Sequence, residues 1–123
     1  MTHAASQLFD PNDLETLRAQ VVLPVLTAML RDGELREYQL GWVNWQADLD
    51  TVGPERTAEA DCLYVVVVPQ VPENRLHHCL WRPGTSYENL AQAAYQFAWV
   101  MEEWIPEFVA WGEQRLMPDH LKL

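Results

Sequence analysis

The sequence predicts an α+β domain of order α-β-β-β-α: a three-stranded antiparallel meander packed against an N-terminal helix and a long C-terminal helix. Three observations predict it. Towards both ends of the chain, apolar residues recur at spacings of three and four, the pattern of a helix with one buried face. Between them lies Cys62-Leu63-Tyr64-Val65-Val66-Val67-Val68, a largely β-branched run without polar alternation, as expected of a strand buried on both sides. Two more strand-like runs flank it, joined by loops rather than helices, which favours an antiparallel meander. With 123 residues, 49% of them apolar, the chain is read as one domain over 1–123 with a modest core.

Residues 1–8 read as a loose start. Phe9-Asp10-Pro11-Asn12-Asp13-Leu14 then carries the signals of a helix N-terminus: Asp10 as N-cap, Pro11 at the first helical position, and Phe9 stapling onto Leu14. Leu14, Leu17, Val21, Val25 and Met29 form the buried stripe, widened by Leu26 and Leu30. Asp13 and Glu15 near the start and Arg31 near the end suit the helix dipole, and Gly33 is a C-terminal stop. Pro24, inside this pattern, is predicted to kink the helix or break it in two.

The character changes at Arg36. Tyr38, Leu40 and Trp42 alternate with Val43, Trp45 and Ala47 on the other side, predicting a strand over 36–49 with a bulge at Gly41. Residues 48–60, with Gly53-Pro54 and several charges, read as a loop. After the central strand, 69–74 reads as a turn, 76–82 as a third strand, and Pro83-Gly84 as its end. The long helix is predicted from a capping box at Thr85 and Glu88, with Tyr87, Leu90, Ala94, Phe97, Met101, Ile105 and Phe108 on its core face. It runs for roughly 20 residues, about 30 Å, to a kink or restart at Pro106. Gly112 and Pro118 end the helical region.

The charge balance narrows the partners. Eighteen acids against eight lysines and arginines give a net charge of −10, a surface that phosphate backbones repel and basic proteins attract. Direct nucleic-acid binding is therefore not expected. Cys62 and Cys79 are too few for a disulfide scaffold and read as buried thiols of a reducing compartment. No signal peptide and no apolar run of transmembrane length is read in the chain, so the protein is expected to be soluble and cytoplasmic, away from membranes.

No Walker loop, GxGxxG, HExxH, CxxC or GxSxG motif occurs. His77, His78 and Cys79 are the only tempting cluster. His77 and Cys79 share a strand face, but a metal needs three or four converging ligands, and only His3 or His120 offers itself. His78 points away from Cys79 and is badly placed to activate it. Glu102 and Glu103 fit a solvated helix face better than an acid–base pair. The expectation is a non-enzyme without catalytic residues, metal or cofactor.

The six tryptophans say more. A helical projection sets Trp99 opposite the core stripe, near Gln92, Gln96 and Glu103, with Tyr95 beside it. Trp104 and Trp111 share a flank at a spacing of seven. Aromatic residues on a polar face fit a protein interface, so Tyr95, Trp99, Glu103, Trp104 and Trp111 are its candidate residues. The competing expectation is that a loop or the first helix covers Trp99. The strands raise the same question. They are apolar on both sides, so either one helix covers each face or a second subunit or client covers what remains.

In architecture, in a mass of 14.2 kDa and in a pI near 4.6, the chain resembles the small acidic type III secretion chaperones and the related YbjN-like proteins. The resemblance rests on a capped amphipathic helix over 9–31, strands over 38–49, 62–68 and 76–82, and a long helix over 86–111. The two further strands that the classical chaperones carry before the last helix are not found, which makes a YbjN-like adaptor the better match. The resemblance implies a non-enzymatic homodimer that binds another protein. With the charge, it suggests a larger basic client, for which a DNA-binding protein would serve. The expected dimer interface is the long helix, with Trp99 or its flanking aromatics in contact. Toxin-neutralising immunity proteins are also small, acidic and aromatic-rich. The acidic loop over 48–59 makes that the alternative.

Overall fold

The structure is a computed structural model, which describes residues 7–123. His3 and most of the expected loose start lie outside the described residues. The architecture is α-β-β-β-α, an α+β fold with an open three-stranded antiparallel sheet.

The first helix, α1, is a continuous run of three pieces: an α turn at Leu14–Leu17, a π-helical stretch at Arg18–Val22 and an α segment at Leu23–Met29. Its N-cap is Asp13 rather than Asp10, with the Asp13 carboxylate accepting from Thr16 N at 3.1 Å. Asp10 instead accepts from Asn12 N at 2.9 Å in the turn before the helix. Phe9 packs edge-on against Tyr87, with ring centroids 4.9 Å apart. Pro24 neither breaks nor ends the helix. A proline has no N–H to donate and its ring crowds the carbonyl four residues back. The π-helical stretch lies directly ahead of it, with Leu23 N donating to the Arg18 carbonyl five residues back. That wider turn absorbs the misfit. Val21, Val22 and Val25 on either side remain fully buried.

Strands β1 (Leu35–Val43), β2 (Cys62–Pro69) and β3 (Leu76–Trp81) pair in sequence order. Leu40 faces Val65 and Trp42 faces Leu63; Val65 and Val66 face His78 and His77. β1 stops short of the expected end. The Asn44 side chain accepts from Gln46 N at 3.1 Å and its carbonyl from Ala47 N at 3.0 Å, turning the chain away and leaving Trp45 exposed. The register is regular through Gly41, and the irregularities fall at Leu35/Glu37 and Leu63/Tyr64. Gly41 is needed for another reason. A Cβ there would stand 2.5 Å from the Gly53 carbonyl oxygen and 3.2 Å from the Val52 Cβ. Gly53 pairs with Trp42 by two backbone hydrogen bonds of 2.8 and 2.9 Å, so the loop lies directly against β1.

The long helix, α2, spans Leu90–Phe108. Its cap lies four residues beyond the expected Thr85/Glu88 box. Asn89 accepts from Gln92 N at 3.0 Å, and the Gln92 side chain accepts from Glu88 N at 2.6 Å. The signal is again a polar residue followed three later by a Gln, shifted by one turn. Thr85 belongs to the preceding turn, its hydroxyl accepting from Arg82 N, and Leu90 N donates to the Gln7 carbonyl. The helix passes through Pro106 and ends two residues later, with Gly112 at φ +72° returning its N–H to the Pro106 carbonyl. Trp111 therefore lies beyond the helix.

Both helices pack on one face of the sheet. Leu17, Val21, Phe97, Met101 and Ile105 meet Leu40, Trp42, Leu63, Val65, Val67 and Leu80 in one core. The expected arrangement with one helix on each face is not found, and the loop over 44–61 crosses the other face. The Asp48 carboxylate folds that loop by accepting from Asp50 N at 2.8 Å and from the Thr51 hydroxyl at 2.6 Å. Asp50 in turn reaches His77 on β3 at 2.6 Å and Arg75 at 3.5 Å. Val43, Cys62, Val66 and Val68 are buried on this side.

Candidate functional site

The candidate site is the outer face of α2, opposite its core stripe. Phe97, Met101 and Ile105 point inwards and are fully buried. Tyr95, Trp99, Glu103 and Glu107 follow one another at i, i+4 spacing, so they form a single stripe on the outside. Tyr95 is half-buried against the core, whereas Trp99 is 47% exposed and Glu103 and Glu107 are exposed.

After Gly112 the chain folds back along this helix. Met117 and Leu121 are buried and anchor the tail, and Met117 N donates to the Glu102 carboxylate at 3.1 Å. Arg115 ties the tail to the end of α1. Its guanidinium donates to Glu34 at 2.6 Å through Nη2, to the Met29 carbonyl at 3.2 Å and to Glu113 at 3.1 Å. Charge-assisted bonds from Arg115 hold the Glu34 carboxyl below its ordinary range. Arg31 pairs with Glu113 from the other side.

Between tail and helix runs an open groove. One part, of about 380 Å³, is lined by Tyr95, Trp99, Leu116, Met117 and Leu123, with Glu102 and Lys122 at its edge. The adjoining part, of about 470 Å³, runs from Trp99 past Glu103 and Glu107 to Leu116. Leu116 and Leu123 are 75% and 72% exposed. The expected residues Tyr95, Trp99 and Glu103 are thus brought together.

The other two are not. Trp104 is 6% exposed and its indole N–H donates to the Asn74 carbonyl at 3.0 Å, so it is a core residue joining α2 to the β2–β3 turn. Its helical phase falls towards the sheet once the core stripe widens beyond Phe97 and Met101 to include Ala93 and Ala98. Trp111 is 86% exposed, but it follows the helix and does not line the groove. Glu107, Leu116, Lys122 and Leu123 were not anticipated. The Leu116-Met117 pair after Gly112 was the available signal, an apolar step too short to show a period.

The histidine–cysteine cluster is dispersed as strand alternation requires. His77 binds Asp50 on the loop side. His78 stacks on Phe97 at 5.1 Å on the helix side, where burial lowers its pKa to about 4. Its Nε2 is buried with no hydrogen-bond partner. Burial raises the Cys79 thiol above its usual range, and burial with the neighbouring Asp61 does the same to Cys62, so neither is held as a thiolate. Among the described residues no three His, Cys, Asp or Glu side chains converge on a point that could hold a metal. Among them, too, no helix is long and apolar enough to cross a membrane. No family model, curated protein or solved structure matches this chain.

Proposed function

We propose that this chain is a non-enzymatic, homodimeric adaptor or chaperone-like protein of YbjN-like type, which works in the cytoplasm by binding and modulating a larger, basic protein. A DNA-binding protein fits that description. The observation that carries this reading is the apolar groove along α2, with Trp99 standing half-exposed at its centre and Leu116 and Leu123 on its wall. Contiguous exposed apolar surface of this kind is characteristic of protein contact sites. The net charge of −10 supports a basic partner. The immunity-protein alternative draws on the acidic loop, but Asp48 and Asp50 are engaged in folding that loop onto the sheet.

Sedimentation and affinity capture test the proposal. The wild type should sediment as a dimer at micromolar concentration and retain a specific basic protein in moderate salt. Sedimentation as a monomer would remove the homodimer. Capture of no specific protein at low or moderate salt would remove the adaptor.

A further inference from the structure

Which occupant the groove takes follows from its two halves. This step rests on the protein-binding reading above and specifies the partner's chemistry. One half is apolar: Tyr95, Trp99, Leu116 and Leu123. The other is acidic. Glu103 and Glu107 stand one and two helical turns beyond Trp99, both exposed, and among the described residues neither is in an ion pair. Of the nearby cations, Arg115 is held by Glu34 and Glu113, and Lys122 stands at the apolar end of the groove, 3.3 Å from the exposed Asp119. The groove thus presents an aromatic face followed by free negative charge along one line.

A second copy of the same face is a poor match. α2 contains no lysine or arginine, and Arg115 is held by Glu34 and Glu113, so a copy of the groove laid across it would bring apolar surface and only Lys122 to the two carboxylates Glu103 and Glu107. At least one of those carboxylates would lose water without gaining a partner, which is costly in an interface. The geometry points to a cationic amphipathic segment of another protein as the occupant. Its apolar side chains would lie against Tyr95, Trp99 and Leu116, and its lysines or arginines would reach Glu103 and Glu107. An arginine at the junction would also find the Trp99 ring within cation–π range. The homodimer contact then falls outside this groove.

The test uses the full chain and two fluorescein-labelled helical peptides of about five turns. They share the same leucine spacing, and one carries lysines where the other carries glutamates. Anisotropy titrations at physiological salt should show binding of the lysine peptide and none of the glutamate peptide. Trp99→Ala should weaken binding by about 30-fold, as for a central interface aromatic. The pair Glu103→Gln and Glu107→Gln should weaken it several-fold, since exposed ion pairs each contribute little. Glu55→Gln with Glu59→Gln, exposed on the far loop, should leave it unchanged, which separates the groove from general attraction to an acidic protein. Thermal melts matching the wild type certify that the variants are folded. Equal binding of the two peptides, or equal losses from the two glutamate pairs, overturns the inference. So does a wild-type dimer that binds neither peptide and becomes a monomer on Trp99→Ala; a second copy then fills the groove while the adaptor reading stands. A wild type that binds neither peptide, remains monomeric and captures no protein takes down the adaptor reading itself.

Discussion

At the scale of single residues, the strongest statements concern groups whose position leaves them little choice. His78 sits between the sheet and Phe97 with an unpartnered buried nitrogen, so its neutral form is favoured and its pKa falls from 6.5 to about 4. The unfolded chain then binds a proton more readily than the folded one between those values. Stability is complete above about pH 6.5 and is lost as the pH falls towards 4, by about 3 kcal/mol from this group. Urea melts at pH 7.5, 5.5 and 4.5 should show that decline, and His78→Leu should flatten it. Glu34 acts in a lower window. Its folded pKa lies below the usual 4.5, so its contribution is present above that value and disappears as the pH falls through the folded pKa. Gly41 is constrained by backbone rather than by titration. Gly41→Ala would drive a methyl group against the Gly53 carbonyl, and should cost about 1–3 kcal/mol through displacement of the loop. A Gly41→Ala variant with an unchanged denaturation midpoint would show that the loop yields freely.

At the scale of elements, the strongly periodic segments were legible and their boundaries were less so. Of the expected stripe, Leu90, Ala94, Phe97, Met101 and Ile105 identified both α2 and its buried side, whereas Tyr87 precedes the helix and Phe108, its last residue, is 42% exposed. Its start was misplaced because two polar signals of similar form lie four residues apart. The start at Asn89 carries the local bonds with Gln92 and, in addition, the bond from Leu90 N to Gln7, a contact between distant parts of the chain. Pro24 was expected to kink α1 or break it in two; the helix is unbroken, and local rules do not foresee the π-helical stretch that relieves the clash. Of the site, Tyr95, Trp99 and Glu103 could be placed from helical phase alone. The opposite wall could not, because it is a tail without period, positioned by Met117, Leu121 and the Arg115 cluster. That cluster carries the prediction for this scale. The Arg115 and Glu34 side chains retain only 11% and 20% of their exposure, and Glu34→Gln would leave the guanidinium with a weaker partner. It should lower stability by about 1–3 kcal/mol in denaturant melts. No change would mean that Glu113 alone suffices.

At the scale of the whole molecule, the charge and the placement of the two covers matter most. Helices cover one side of the sheet and a charged loop crosses the other, while Trp99, Leu116 and Leu123 gather exposed apolar surface along α2 and the tail, and Leu8, Leu23, Trp45 and Val71 are exposed elsewhere. With eighteen acids against eight basic side chains, the compact state carries self-repulsion that salt should relieve. The melting temperature should rise by a few degrees, about 1 kcal/mol, between low and physiological ionic strength. A flat response would show that the acids are spaced too widely to interact. The return of the C-terminal tail has a consequence of another kind. One wall of the groove belongs to α2 and the other to a segment held by a handful of side chains, so the groove exists only while that segment is closed. Its opening is a local equilibrium, distinct from global unfolding. Any ligand that needs both walls binds with an affinity scaled by the closed fraction. The amide of Met117, bonded to Glu102, reports that fraction directly. Its hydrogen exchange should be faster than that of the α2 core amides, and should slow in proportion to occupancy when the groove is filled.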